Sequence, residues 1–334
     1  MLLQILVPQY KETDEVIKPL LDSIKAQLNV DFNDIGVIIT NDGSNVSLSD
    51  ELIRSYPFTI QYFKNKHAGV SATRNFCLDK ATANYVMFCD ADDLFINSLG
   101  LQLILNTVKN EPSIDFINST FFEELKTPSG MLYIPKQKDG IFVHGKIYNR
   151  SFLKVENIRW CDELLIHEDS YFNTLAITLA KTKTYCDSPF YLWHWNDNSV
   201  SRNDKYYVIK TYDQLLKSAT KLSQELLDRG KKQTAAEMFC LNTFQTFYIM
   251  TGAFNQIDEL KEVIEKLKPL AAQFYYQFNT LITTLPATKV LSIRATARKA
   301  AIDHGWYKET IIFNDWVTSL FEGTDVEVKT QKVS

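Results

Sequence analysis

The sequence predicts an α/β protein with a mainly parallel sheet, followed by an all-helical domain. Up to about residue 204, short continuous apolar runs alternate with segments of helical period, which is typical of strands buried between helices. From residue 205 to residue 334 the pattern changes to long helical segments. We therefore expect two domains, 1–204 and 205–334, and we expect about the last ten residues to be flexible because they are polar.

The composition and charge exclude several classes of protein. Of the 334 residues, 45% are hydrophobic, which is enough for a sizeable core, and the net charge of −4 gives no general attraction to nucleic acid. The five cysteines are widely spaced without a C-x-x-C pair, which favours a reducing compartment over a disulfide framework. No apolar run has the roughly 18 residues of a membrane span and no signal peptide is recognisable, so we expect a cytoplasmic protein whose surface can still touch a membrane.

The elements of the first domain follow from apolar runs and helical periodicity. Strands are predicted at 2–7, 35–40, 60–63 and 85–89, and helices are predicted from Thr13 or Asp14 onward, at 70–81 and at 99–109. The first helix is expected to bury Val16, Leu20, Leu21, Ile24 and Leu28 on one face. Further β segments are expected at 114–122, 131–134 and 141–143, before a helix at 168–181. In the second domain, helices are predicted at 206–229, 233–250, 257–270, 289–303 and 308–321.

Acidic residues follow two of the predicted strands. Asp90, Asp92 and Asp93 come directly after the apolar run 85–89, and Asp42 follows the second strand. In an open α/β sheet, ligands bind at the carboxyl ends of the strands. Alternate residues of an extended chain point the same way, so Asp90 and Asp92 can share one hard cation through oxygen ligands. The alternative is an ordinary solvated acidic turn.

Five segments, in order along the chain, resemble the signatures of glycosyltransferase family 2, whose members are inverting enzymes of the GT-A fold. Val7-Pro8-Gln9-Tyr10-Lys11-Glu12 resembles V-P-x-Y-N, and Asn41-Asp42-Gly43-Ser44 resembles D-D-G-S. Gly69-Val70-Ser71-Ala72-Thr73-Arg74-Asn75 resembles G-x-x-x-A-R-N, Asp90-Ala91-Asp92-Asp93 contains D-x-D, and Glu168-Asp169-Ser170-Tyr171-Phe172 resembles E-D-x-x-F. The resemblance covers about residues 1 to 204. It implies a Rossmann-like, mainly parallel nucleotide-binding sheet with the helical domain outside it.

The resemblance implies a set of nucleotide-sugar-binding residues. Asp42 would accept the N3–H of uracil, Pro8 and Tyr10 would wall the base, and Arg74 would contact phosphate oxygens near the start of its helix. The alternatives are a turn cap for Asp42 and a surface ion pair for Arg74. The full predicted set is Pro8, Tyr10, Glu12, Asp42, Ser44, Ser71, Arg74, Asp90, Ala91, Asp92, Ser199, Ser201 and Arg202.

A divalent cation and a general base complete the implied site. Mn²⁺ or Mg²⁺ would be held by Asp92 and Asp90. In the segment that closes over the diphosphate, His194 would bind the metal or donate to phosphate, although a histidine between two tryptophans is also typical of a structural role. For the base the resemblance points to Asp169, at a helix start, while helical phase brings Glu168 closer to the apolar face. Both stay open, and the alternative is a pair of first-turn acids that only stabilise the helix.

Two positions depart from the family pattern. Asn41 replaces the first aspartate of D-D-G-S, and Lys11 stands where the first motif commonly has asparagine. Both changes bear on nucleotide preference, and neither removes a proposed catalytic group.

The resemblance implies transfer of a monosaccharide from an NDP-sugar, above all a UDP-sugar, to an acceptor hydroxyl in surface glycan or polysaccharide synthesis. A sugar-nucleotide nucleotidyltransferase is the second reading, but a Gly-rich basic N-terminal loop is missing from the sequence. A third reading is an inactive GT-A scaffold or binding protein. The sequence retains Asp90, Asp92, Glu168 and Asp169, which argues against this reading.

The expected partners are a UDP-sugar and a glycan, wall-polymer or lipid-linked acceptor, with no nucleic acid and no transmembrane segment. The helical domain is expected to recognise the acceptor or to form a homo-oligomer.

Overall fold

The computed structural model describes residues 1–197, 199 and 211–238. The chain divides into two compact units, Met1–Ser199 and Val200–Ser334. In the described part of the chain, nine strands of the first unit form one sheet in the order β3-β2-β1-β4-β8-β6-β9-β5, with β7 paired to β6.

The first half of the sheet is parallel, as the sequence predicts. Its strands are β1 (Leu3–Gln9), β2 (Ile35–Asn41), β3 (Thr59–Lys64) and β4 (Tyr85–Phe88). They are connected through helices α1 (Asp14–Lys25), α2 (Asp50–Arg54) and α3 (Val70–Lys80). Because parallel strands joined by helices all run the same way, the segments after β1, β2 and β4 meet at one edge of the sheet.

The second half of the sheet is mixed. Its strands are β5 (Leu94–Phe95), β6 (Phe116–Thr127), β7 (Gly130–Lys136), β8 (Lys146–Asn149) and β9 (Lys183–Trp193), and its helices are α4 (Gly100–Asn110), α5 (Arg150–Val155) and α6 (Glu168–Leu179). Strand β8 runs antiparallel to both β4 and β6, whereas β6 and β9 are parallel. This arrangement brings the start of α6 and the end of β9 to the edge where β4 ends.

The core explains why these segments adopt these elements. Strands β1 and β2 are buried on both faces, as continuous apolar runs predict. Helix α1 buries Ile17, Leu20, Leu21 and Ile24. Each fully buried aliphatic side chain contributes about 1.5–3 kcal/mol relative to an exposed one. The prediction was wrong for Val16 and Leu28, which are 41% and 54% exposed, because Ile17 is buried where Val16 was expected and α1 ends before Leu28.

Three aromatic rings pack beneath the edge where β4 ends. Trp160 and Phe172 are stacked with ring centroids 4.2 Å apart, and Phe88 meets both of them edge-on at 5.0 and 5.5 Å. All three side chains are essentially buried. This aromatic cluster therefore joins β4, α6 and the loop before α6 into one packed body.

Several predicted elements differ from those observed. Residues 141–143 do not form a strand, because β8 begins only at Lys146 and residues 139–145 form a turn around Asp139. The helix predicted at 168–181 ends at Leu179. Helix α2 and strands β5 and β9 carried no clear local signal, since β9 is held mainly by pairing with the distant β6.

The second unit is described in part. Helix α7 (Tyr212–Asp228) lies within the predicted 206–229 helix, and residues 232–238 are also helical. The helices predicted at 257–270, 289–303 and 308–321, and most of that at 233–250, lie outside the described residues. No helix in the described segments has the length and apolarity needed to cross a bilayer.

Candidate active site

A cavity of about 340 Å³ opens at the carboxyl edge of the parallel strands. It holds many of the predicted nucleotide-sugar-binding residues, namely Pro8, Tyr10, Glu12, Asp42, Asp90, Ala91 and Asp92. It is completed by Gln9, His67, Gly69, Val70 and Thr73. The ends of β1, β2 and β4 and the start of α3 thus converge on one space, as the strand-end argument predicts.

Asp42 forms part of the cavity wall and caps the loop before α3, whereas its own turn is closed by Asn41. Its carboxylate accepts hydrogen bonds from the backbone N–H groups of Ala68 (2.8 Å) and Gly69 (3.0 Å), and it lies 2.8 Å from Nδ1 of His67. The His67 ring packs against Tyr10 with centroids 4.8 Å apart. Because each carboxylate oxygen can accept more than one hydrogen bond, these contacts leave room for a ligand N–H, and the expected contact with uracil stays a prediction.

His67 was not among the predicted site residues. Its approach to Asp42 depends on Gly43, whose φ is +76° and where a Cβ atom would stand 2.3 Å from the His67 backbone nitrogen. The glycine in the second motif therefore serves a close backbone approach as well as a turn.

The loop after β1 is held by Glu12. Its carboxylate accepts hydrogen bonds from the backbone N–H groups of Tyr10 (2.7 Å) and Lys11 (3.2 Å), and its carbonyl accepts one from Nε2 of Gln9 (2.7 Å). Lys11 stands where the first motif commonly has asparagine, and its ammonium lies 5.0 Å from the Tyr10 ring centroid. This loop thereby fixes the Tyr10 side of the cavity.

The D-x-D carboxylates have contrasting environments. Burial, Asp90 and Glu12 raise the pKa of Asp92, although its carboxylate accepts a hydrogen bond from Nδ2 of Asn196 (2.8 Å). Burial would also raise the pKa of Asp90, but the neighbouring Arg74 guanidinium lowers it. Asp90 is therefore held as an anion, whereas Asp92 is a crowded carboxylate that an added positive charge would favour.

Behind D-x-D lies a buried polar cluster of Asp93, His144 and Tyr191. Asp93 accepts hydrogen bonds from the Tyr191 hydroxyl and from the backbone N–H of His194 (2.9 Å). The same hydroxyl accepts the Asp90 backbone N–H (3.3 Å) and lies 3.2 Å from Nδ1 of His144. Burial raises the pKa of Asp93 well above its usual range and lowers that of His144 to about 3, so burial favours the uncharged form of each.

The predicted metal set is brought together only in part. In the segments that the structure describes, Asp90, Asp93 and His144 form the group whose potential ligand atoms all lie within 4.8 Å of one another. Asp90 and Asp92 line the cavity as expected. Nδ1 of His194, in contrast, lies 2.6 Å from the Glu124 carboxylate, because the end of β9 pairs with β6 and turns that ring toward it.

Arg74 connects the D-x-D segment with the Glu168–Asp169 pair. Its Nη2 donates to Asp90 at 3.0 Å, and its Nη1 donates to Glu168 at 3.0 Å and to Asp169 at 2.9 Å. The side chain is only 4% exposed, and its guanidinium carbon lies 4.5 Å from the centroid of the Trp160 ring. The Arg74 guanidinium therefore binds acidic side chains of both motifs.

Asp169 has the properties of a proton acceptor near neutral pH. Burial raises its pKa to about 7, with the charges of Glu168 and Asp90 adding to the rise and that of Arg74 opposing it. Its second oxygen accepts the backbone N–H of Val143 at 3.3 Å. The side chain keeps 18% exposure, so it can still be reached from solvent.

The cavity lining does not include Arg74, Glu168, Asp169 or His194, nor does it include Ser44, Ser71 or Ser199. The Ser44 backbone N–H donates to Asn41 (2.8 Å) and its hydroxyl donates to the Val46 carbonyl (3.1 Å), so both serve the turn. Ser71 is buried with its hydroxyl 3.5 Å from the Leu164 carbonyl, and the Ser199 backbone N–H donates to Asn196. Ser201 and Arg202 lie outside the described residues. The ligand roles of these serines stay predictions.

Comparisons with known proteins agree with this geometry. The sequence model for Glycosyl transferase family 2 matches residues 4–157. Glycosyltransferase GlyA of Streptococcus pneumoniae is 23% identical over 320 residues, which cover 84% of this chain and 45% of that protein. The chain thus spans about half the length of this curated relative.

Two solved structures share the α/β fold. S. aureus TarS 1–349 in complex with UDP superposes with a TM-score of 0.57 at 17% identity, covering 90% of this chain and 92% of that one. The mannosyltransferase PcManGT from Pyrobaculum calidifontis, in complex with GDP-Man and Mn²⁺, superposes with a TM-score of 0.53 at 13% identity, covering 97% and 88%. The predicted GT-A class is confirmed for the α/β part of the chain.

Proposed function

We propose that this chain, whose residues 4–157 match the sequence model for Glycosyl transferase family 2, transfers a monosaccharide from a UDP-sugar to an acceptor hydroxyl with inversion. The observation that carries the proposal is the pair of hydrogen bonds from one guanidinium, that of Arg74, to Asp90 of D-x-D and to Asp169. A donor-binding acid and a proton-accepting acid are thereby held side by side, as a single displacement needs.

The cavity suits the nucleoside part of the donor. Tyr10 and His67 offer aromatic faces to a base, and Asp42 offers carboxylate oxygens to a ring N–H. The similar structures were solved with UDP and with GDP-Man, which supports a nucleotide-sugar donor. The choice of a UDP-sugar among these donors rests on the motif resemblance.

The charge of the cavity fits a bound divalent cation. Its acidic lining residues are Glu12, Asp42, Asp90 and Asp92, and its described lining includes neither lysine nor arginine. A diphosphate would add further negative charge, so a hard cation with oxygen ligands is the natural complement, and Asp90 and Asp92 would hold it. When bound, Mn²⁺ or Mg²⁺ supplies positive charge that offsets the charge developing on the departing diphosphate.

Asp169 is the proposed general base. As the acceptor oxygen bonds to the anomeric carbon, the hydroxyl proton passes to the Asp169 carboxylate. The bond between the anomeric carbon and the diphosphate oxygen breaks, and the electron pair of that bond leaves with UDP. Attack from the face opposite the leaving group inverts the anomeric configuration. Glu168, on the same Nη1 of Arg74, is the second candidate for this role.

The acceptor is proposed from family habit as a surface glycan or polysaccharide, including wall-polymer and lipid-linked forms, with a cytoplasmic site of action. In this proposal the second domain, 205–334, recognises the acceptor or forms a homo-oligomer.

A turnover assay with matched variants tests the reaction. UDP released from a panel of UDP-sugars, with Mn²⁺ and candidate acceptors, is expected to fall about 10²- to 10⁴-fold in Asp169→Asn, because the proton acceptor is lost. Asp50→Asn is the control, since Asp50 is 84% exposed on α2 and forms only a surface ion pair.

Near-wild-type turnover in both Asp169→Asn and Glu168→Gln would refute the assigned base. Release of pyrophosphate instead of UDP would identify a nucleotidyltransferase.

A further inference from the structure

The N–H groups of Arg74 are not directed at the cavity where a donor phosphate would bind. Arg74 is absent from the cavity lining, although Thr73, next to it in the chain, belongs to that lining. Both terminal nitrogens donate to carboxylates, and Nε is buried. A donor diphosphate in the cavity would therefore meet Asp90 and Asp92 before it met this guanidinium.

The surroundings of Arg74 hold the guanidinium in one plane. Trp160 covers one face at 4.5 Å and is itself stacked on Phe172. The loop that carries Trp160 is tied to α3 by Asn75, whose side chain donates to the Trp160 carbonyl (2.9 Å) and accepts its N–H (3.0 Å). The residue after Arg74 thus fixes the ring on which Arg74 rests.

The charge balance around the guanidinium supports the same reading. Burial alone would lower the pKa of Arg74, but the charges of Asp169, Asp90 and Glu168 raise it, so the side chain stays cationic. Removing one partner from a buried ion pair of this kind leaves uncompensated charge. The charge of Arg74 is therefore balanced by Asp90, Glu168 and Asp169.

We infer that Arg74 is a positioning residue that fixes Asp169 relative to Asp90 and does not bind the donor phosphates. The inference rests on the proposed transfer reaction. In that reaction Arg74 links Asp90, which binds the donor, to Asp169, the proposed base. Because the guanidinium is a rigid planar fork, it sets both the spacing and the relative orientation of the carboxylates. Lysine offers a single point charge and cannot hold both in that geometry.

Separate measurements of turnover and affinity test the inference in Arg74→Lys. We expect kcat to fall about 10²-fold, as misplacement by roughly 1 Å does, while the Kd for UDP with Mn²⁺ by calorimetry stays within about threefold. Arg54→Lys is the control, because Arg54 pairs with the Asp50 carboxylate on the exposed surface of α2. A Kd weakened tenfold or more, with kcat unchanged, would overturn the inference.

Two further variants guard against simple loss of folding. In Arg74→Gly, added guanidinium ion is expected to restore part of kcat; absence of rescue in a variant that melts like wild type contradicts a positioning role. Asn75→Ala keeps Arg74 but loosens Trp160, so it should lower kcat about tenfold and leave the Kd for UDP unchanged. If Asn75→Ala instead weakens UDP binding at constant kcat, the inference is wrong.

The outcomes separate this inference from the proposed function. If the wild-type protein releases UDP from no UDP-sugar with any acceptor, the proposed function fails. The calorimetric comparison of UDP affinity in wild type and Arg74→Lys still decides whether Arg74 is a donor ligand.

Discussion

Asp169 is the residue whose environment leads most directly to a property measurable in solution. Its raised pKa of about 7 means that the carboxylate required by the proposed mechanism forms as pH rises through that value. We expect kcat/KM for the donor to increase with pH and to reach half its plateau near pH 7, measured as UDP release at limiting donor. In Glu168→Gln the midpoint should move to lower pH, because the charge of Glu168 contributes to the rise.

A kcat/KM that does not change over about pH 5 to 8 would contradict the assignment of Asp169 as the base. At saturating donor the midpoint of kcat is expected at lower pH than that of kcat/KM, since a cation beside Asp90 opposes the negative charge that raises the pKa of Asp169.

Asp92 should show opposite effects on stability and on ligand binding. Because its folded-state pKa is raised, the ionised carboxylate opposes folding as pH rises through that pKa, and neutralising it at neutral pH should not lower the melting temperature. We expect Asp92→Asn to melt at or above the wild-type temperature without ligand. The same variant should lose most of the stabilisation that Mn²⁺ with UDP gives the wild type, in a thermal-shift titration.

Asp50→Asn, on the surface of α2, is the control for this comparison. Equal ligand stabilisation of Asp92→Asn and wild type would remove Asp92 from the proposed metal site.

At the scale of elements, the turn after β2 depends on a glycine. In Gly43→Ala the added Cβ would lie 2.3 Å from the His67 backbone, so the contact between Asp42 and His67 must open. We expect the Kd for UDP to increase at least about tenfold, which corresponds to 1.4 kcal/mol. Gly230→Ala is a matched control, because Gly230 has a similar φ of +73° but no atom within 4 Å of the position that an alanine methyl would take.

Both glycine variants carry the cost of a left-handed backbone, about 1–2 kcal/mol, and should melt lower than wild type. Only Gly43→Ala should lose UDP affinity. A loss of equal size in both would mean that the turn after β2 does not shape the cavity.

The elements also indicate which structural features a sequence can predict. The strands β1, β2 and β4 are continuous apolar runs, and their carboxyl ends carry the motifs, so local pattern suffices for them. Strand β9 is different because it is assembled by pairing with β6 and β5, which are far away in the chain. The cluster of Asp93, His144 and Tyr191 depends on that pairing and could not be predicted from spacing.

The role inferred for Arg74 shows the same limit at a single side chain. The motif predicts an arginine near the start of α3, and the structure has one there. Its partners come from β4 and α6, sixteen and about ninety-five residues further along the chain. A single sequence does not reveal whether the guanidinium faces phosphate or protein, because that depends on tertiary packing.

For the whole molecule, ligand binding and proton release should be linked. Because carboxylates must lose their protons to hold a divalent cation, the stabilisation by Mn²⁺ with UDP should increase as pH rises from about 6 to 8. At a ligand concentration 100 times the Kd, this stabilisation is about 2.7 kcal/mol. Calorimetry in buffers of different ionisation enthalpy would detect the released protons, and a pH-independent shift would contradict the proposed metal site.

Cys89, the last residue before D-x-D, is fully buried. Burial raises the pKa of its thiol well above the usual range, so the reactive thiolate is scarce in the native state. Alkylation of this cysteine must therefore wait for the sheet to open around β4. The rate of labelling with iodoacetamide would then report how often this edge of the sheet opens, and a bound donor should slow it.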